Sequence, residues 1–380
     1  MKKLYFLILL LAPLLLTDCS SGKKSFEKGN YYDAVIKAVN RLRQNPNHKK
    51  SQETLREGYP LALKTLEQNA VNALNSHQQF RYKHTLRQYE LINTMYEEIR
   101  RAPGALKVVR TPKNYYDKLP DLKQRAAEES YIAGVEALNR DTRQDAKRAF
   151  HFFQDVNSFV PGYKDVAKKL DESYFMATLK VIVERIPVPS RYRLSADFFQ
   201  DQIEDYLHSQ AYGNQFVRFY TPQEAESEKL PFVDQYLRLE FDNFVVGETH
   251  VLKEIENISR DSVKIGSVTV NGEKVDAYGT VNARLTRFKK EVISKGLFSM
   301  KIYDAKSNAV LNHRKFDGEF VWFTSWGNFS GDERALSDEQ LKMCEGHDVP
   351  PPPPQEMFIE FTKPIYGQLT NAIQAFYRQY

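Results

Sequence analysis

The sequence predicts an α+β chain in two parts: a helical N-terminal half, then a half built on a mostly antiparallel sheet and closed by a last helix. Two observations carry the prediction. Up to about residue 176 apolar residues recur at helical spacing, as in Val35, Ala38, Val39 and Leu42. From residue 179 the period shortens to two, beginning with the β-branched run Leu-Lys-Val-Ile-Val at 179–183.

The chain opens with Lys2 and Lys3 before an apolar run from Leu4 to Leu16, the layout of a secretory signal. The run is short for a membrane span, which needs roughly 20 apolar residues. It ends in Leu16-Thr17-Asp18-Cys19, which resembles the lipobox of bacterial lipoproteins. That resemblance implies a signal peptide over residues 1–18 and a palmitate-type acylated Cys19 as the membrane anchor. It also implies a lipidated tether over 19–24 and, with no aspartate after the cysteine, an outer-membrane lipoprotein facing the periplasm. Asp18 departs from the small residue usual at its position. The alternatives are an ordinary signal peptide cut nearby or an uncleaved anchor.

Cys19 and Cys344 are the only cysteines, and with lipid on Cys19 the second has no intramolecular partner, which excludes a disulfide framework and a cysteine metal site. Removing Lys2, Lys3 and Asp18 from a chain of net charge +5 leaves the rest close to +4, and charges of both signs are spread along it. No basic stripe points to nucleic acid.

In the first half, Gly29 suits a tight turn between helices, Ala34 suits close packing, and Pro46 ends the second helix. The spacing from Phe26 to Pro46 resembles the second half of a tetratricopeptide repeat. A degenerate second match places Gly134, Ala146 and Phe150 at packing positions, and Ala102-Pro103-Gly104 and Val160-Pro161-Gly162 each close a long helix. Residues 25–176 are therefore expected to form an α-solenoid of TPR-like hairpins for protein–protein contact, or a spacer with no ligand. Of the tyrosine pairs Tyr31/Tyr32 and Tyr115/Tyr116, at least one ring each is expected to pack inside.

The second part, residues 179–380, reads first as strand, helix, strand. The helix runs from an N-cap at Ser195 through Phe198, Phe199, Ile203, Tyr206 and Leu207, and the second strand covers 216–220. Further strands are expected at 236–246, 281–292, 297–303, 310–316 and 320–323. Turns are expected at 304–308 and at Asp317-Gly318. A polyproline spacer at 350–354 then leads to a helix whose apolar face holds Ile365, Leu369, Ile373 and Phe376. This order resembles the periplasmic domain of curli-secretion-pore lipoproteins and of the lipoprotein activators of penicillin-binding proteins. Met300 to Leu311 occupies the hairpin of that family, with Asn308 where glycine is usual. The resemblance implies scaffolding or export at the outer membrane. The one-sided run at 281–288 argues against a pore.

No phosphate loop, dinucleotide fingerprint, nucleophile elbow or zinc-binding His-Glu-x-x-His occurs, so neither enzyme nor cofactor nor metal is expected. The densest unusual cluster is 320–334. It is read as an aromatic loop in which Trp322, Trp326, Asp332 and Glu333 form a candidate site for a glycan, peptidoglycan or a partner protein. The competing reading makes Trp322 core, Trp326 a cover on the sheet edge, and Asp332 with Glu333 a favourable helix start. The expected function is that of a non-catalytic cell-envelope scaffold with envelope protein partners, in secretion, biogenesis or cell-wall synthesis. The alternative is a glycan-binding lipoprotein.

Overall fold

The computed structural model describes residues 22–209, 214–270 and 272–380. Residues 1–18, Cys19 and the tether as far as Ser21 lie outside the described residues. The chain is mixed α+β and divides into two compact units after Ala177.

The first unit is helical: α1 (Lys23–Glu27), α2 (Tyr31–Gln44), α3 (Lys49–Asn75), α4 (Arg81–Arg100), α5 (Pro103–Leu106), α6 (Leu119–Leu138), α7 (Arg143–Phe159) and α8 (Val166–Ala177). Asn30 starts α2 by accepting the Asp33 N–H at 3.2 Å. The stripe Val35, Ala38, Val39, Leu42 is fully buried against Leu55, Ile92, Met95 and Ile99 from α3 and α4. Gly104 lets α5 meet the end of α2, since a Cβ there would stand 2.7 Å from the Pro46 Cα. Gly134 on α6 is covered by the buried ring of Phe153 on α7, 2.6 Å from where a Cβ would sit.

The segment between α5 and α6 is fastened by polar bonds. The Lys113 N–H donates to Tyr59 Oη at 2.7 Å, and the Tyr115 N–H donates to Asn93 Oδ1 at 2.6 Å. The Tyr115 ring stacks on Tyr89 at 4.4 Å, while Tyr116 stays exposed. Tyr31 and Tyr32 both lean on the helical core.

In the second unit, β1 (Leu179–Val183), α9 (Arg193–His208), β2 (Val217–Tyr220) and α10 (Pro222–Ser227) precede three long strands. These are β3 (Gln235–Val270), β4 (Glu273–Asp304) and β5 (Val310–Gly331); α11 (Asp338–Glu345) and α12 (Pro354–Tyr377) follow. The sheet order is β2-β1-β3-β4-β5, with β1 parallel to both neighbours and the remaining pairs antiparallel.

Two expectations about turns resolve differently. The turn after Asp304 is present, with Asn308 at φ 58° where glycine is usual, a conformation asparagine tolerates. Asp317-Gly318 is no turn but the middle of β5, and the strands expected at 310–316 and 320–323 are one strand, as are those at 281–292 and 297–303. The glycine serves packing. Opposite Gly296, it lies beneath α12, and a Cβ on Gly318 would stand 2.2 Å from the Phe361 carbonyl oxygen. Ser195 also differs, lying inside the first turn of α9 because the helix starts at Arg193.

β4 and β5 stay in unbroken register from Ala283↔Gly331 to Ile302↔Asn312, so their faces can be followed by parity. The even face buries Phe298, Met300, Ile302 and Phe316 under α9 and α12, where Phe358, Phe361, Ile365, Leu369 and Ile373 of α12 are fully buried. Each such side chain contributes about 1.5–3 kcal/mol. The odd face carries a second, smaller core farther along, with Val281, Ala283 and Leu285 under Ala335, Leu336 and Leu341. Because α11 covers Gly327 on the odd face and α12 covers Gly318 on the even face, the prolines at 350–353 lie on a connection that passes around the β5 edge. Beyond this second core β3 and β4 continue as a two-stranded ribbon turning at Gly272, φ +88°.

Candidate functional site

Trp322 and Trp326 lie on β5 and not on a loop, in register with Val292 and Phe288 of β4, and both are half-buried on the even face. The Trp326 ring stacks on Phe288 with centroids 5.3 Å apart and planes 11° from parallel. Lys290 Nζ stands 5.7 Å from the Trp326 ring and Lys253 Nζ 5.8 Å from that of Phe288, within cation–π range. Lys290 also pairs with Asp348, and the Cβ position of Gly346 is 3.5 Å from the Trp326 Cβ. The result is an aromatic strip bordered by ammonium groups and partly covered by the chain after α11.

The two carboxylates stand apart from that strip. At about 3.3 Å per residue, the six positions from Trp326 to Asp332 span roughly 20 Å. Asp332 caps the 3-10 turn Glu333–Ala335, accepting the Arg334 N–H at 3.0 Å, its Nε at 2.9 Å and its Nη2 at 2.5 Å. The Arg334 guanidinium and backbone N–H hold the Asp332 carboxyl down at about 2. Arg334 in turn donates to the Lys264 carbonyl at 2.5 Å, and Arg260 donates to the Arg334 carbonyl at 3.0 Å. Asp332 therefore fastens the end of β5 to β3. Glu333 is exposed beside it.

Cys344 is a free, partly buried thiol facing Gly327, and burial pushes its pKa up, away from a reactive thiolate. Among the described residues no three His, Cys, Asp or Glu side chains come together as a metal site.

Sequence reasoning missed two features. One is a cleft of about 290 Å³ beside the ends of β1 and β2. There Asp197 pairs with Arg185 at 3.0 Å and Gln200 donates to Glu204 at 2.6 Å. The one-sided spacing of Asp197, Asp201 and Glu204 on α9 is a signal that could have found it. The other is the odd face of the ribbon, where the apolar row of the second core runs on past its cover to Ile265, Val268, Val270 and Val275, all about half exposed or more. Ile265 lies over Gly279, 2.8 Å from its Cβ position.

No helix among the described residues is long and apolar enough to cross a membrane. No family model matches the chain, and no curated protein matches it. Among solved structures it is similar to a protein described as a neuraminyllactose-binding hemagglutinin homologue from Helicobacter pylori, at 11% identity. That match covers 53% of this chain and 91% of the other, with a TM-score of 0.24, too low to carry an argument about fold or function.

Proposed function

We propose that this protein is a non-catalytic cell-envelope lipoprotein, anchored through Cys19, that acts as a protein-interaction scaffold in an outer-membrane-associated assembly. The observation that carries the scaffold reading is the bare apolar face of the ribbon. Ile265, Val268, Val270 and Val275 continue the row of Val281, Ala283 and Leu285, which is buried under Ala335, Leu336 and Leu341, and an apolar face of this kind marks contact with another surface. The helical unit suits the same role. Its helices pack through small residues, Ala34, Ala38, Gly104 and Gly134, in keeping with a TPR-like solenoid that offers a second contact surface. The export signal and the lipobox-like Leu16-Thr17-Asp18-Cys19 support the location.

Affinity purification of the membrane-solubilised protein tests this reading. Specific envelope proteins should co-purify with the wild type and be lost from a Val268→Asp, Val275→Asp variant. Retention of the same partners by that variant would show that the ribbon is not the contact surface.

The second reading is glycan or peptidoglycan binding. The half-buried Trp322 and the Phe288–Trp326 stack, with Lys253 over Phe288, favour it, because ring faces stack on sugar C–H surfaces and an ammonium group binds carboxylates and hydroxyls, whereas Lys290 is taken by Asp348. With Asp332 engaged by Arg334, that reading rests on the aromatic strip alone. Trp326→Ala should abolish co-sedimentation with cell-wall polymer, and no binding by the wild type would end it.

A further inference from the structure

The sheet has two long open edges, and they are built differently. Among the described residues β3 beyond Leu237 is met by no strand on its outer side; its pairing with β4 breaks register four times, and it is dense in Glu, Lys and Arg. Bulges and charges are what keep exposed edges from pairing. β5, the outermost strand on the other side, has no break in register from Asn312 to Gly331.

The direction of its backbone groups follows from two bonds. The Asp332 N–H donates inward to the Asn282 carbonyl at 2.9 Å, and the Asp317 carbonyl accepts from the Gln368 side chain at 3.0 Å, outside the β4 ladder. Alternation then turns the N–H and C=O of odd-numbered β5 residues outward. Farther along, the chain at Gly346, whose Cβ position is 3.6 Å from the Ser325 carbonyl oxygen, covers the edge. From Leu311 to Val321, Gln368 alone among the described residues takes any of the outward groups.

We propose that this open stretch pairs with the same stretch of a second copy of the chain, antiparallel about a two-fold axis at Phe316. Odd residues then meet odd residues, so every outward N–H and C=O gains a partner. In that register Lys315 opposes Asp317 of the second copy, His313 opposes Glu319, and Leu311 opposes Val321, each pair occurring twice by symmetry. The arrangement is self-complementary. It sets ammonium against carboxylate and brings together two apolar side chains that are exposed in the single chain, Leu311 at 41% and Val321 at 44%.

Phe316 itself stays in the core, so no buried residue has to leave it. Lys315 pairs with Asp242 at 2.6 Å and His313 touches Ser299 Oγ at 3.0 Å, so both lie on the odd face but reach inward over β4, and they turn toward the edge to meet the second copy. Gln368 can yield its bond to Asp317, because it also holds the Pro364 carbonyl at 3.2 Å. This association stands apart from the envelope reading, since it needs neither the lipid nor the ribbon.

Sedimentation of the full-length chain in detergent micelles, with charge-swapped variants, tests it. The wild type should be a dimer. Lys315→Asp alone and Asp317→Lys alone each set like charges opposite one another and should weaken self-association roughly tenfold or more. Mixed together, those two variants should associate, because both pairs between positions 315 and 317 are again of opposite sign. Val321→Pro, which removes one outward N–H and no core contact, should also weaken the dimer. A monomeric wild type, a Lys315→Asp variant that dimerises like the wild type, or a mixture that fails to associate while both variants keep native far-UV circular dichroism would each overturn the proposal. So would an edge occupied by an extended segment of another protein.

Discussion

Gly318 offers a direct check on how α12 sits on the sheet. A methyl group there would lie 2.2 Å from the Phe361 carbonyl oxygen and 2.8 Å from Ile365 Cγ1. The first contact is with helix backbone and cannot be relieved by a rotamer change, so α12 must lift or β5 must bend. Overpacking of this kind costs about 1–3 kcal/mol. Gly367 is the control: it lies within α12 with nothing near its Cβ position, and alanine there should stabilise by up to about 1 kcal/mol. The assay is built into the sequence, because both tryptophans lie on β5 and their emission reports on the second unit. With a urea slope of about 2 kcal/mol per molar, Gly318→Ala should lower the tryptophan midpoint by about 0.5–1.5 M and Gly367→Ala should leave it level or raise it. An unchanged midpoint for Gly318→Ala, or equal losses for both, would refute this packing of α12.

In the helical unit, Phe153→Ala should cost about 3–5 kcal/mol, because the ring is fully buried over Gly134, and far-UV circular dichroism should show early loss of helix. The depressed carboxyl of Asp332 fixes a pH dependence. Its contribution is fully present above the ordinary aspartate range near 4 and is lost as pH falls through about 2, so amide exchange around Lys264 should accelerate in that window and Asp332→Asn should abolish the change. Mass spectrometry of the mature N-terminus should find acylated Cys19, and an unmodified terminus at any other residue would refute the anchor.

Much of the fold is legible where one face of an element is buried. The stripe of α2, the run 179–183 and the apolar face of α12 all read directly, because burial forces their periodicity on the sequence. The long strands are less legible. Residues 247–262 of β3 are nearly all exposed on both faces, so no alternation marks them as strand, and the bulges near Gly247, Arg260 and Lys264 shift parity where a pattern would emerge. Asp317-Gly318 imitates a hairpin turn because the need for glycine comes from a helix more than 40 residues later in the chain. The same distance effect hides the candidate site: the Trp326–Phe288 stack depends on strand register, while Asp332 and Trp326, close in sequence, are separated by an extended strand.

The central claim, that the bare face of the ribbon meets another protein in the envelope, is tested most directly by photo-crosslinking in intact cells from probes placed at Val268 and Val275. Discrete heterologous adducts are expected from both positions and none from Lys274, which lies on the opposite face of β4 from Val275. Recovery of uncrosslinked monomer alone from Val268 and Val275, in protein that still reaches the envelope, would contradict it.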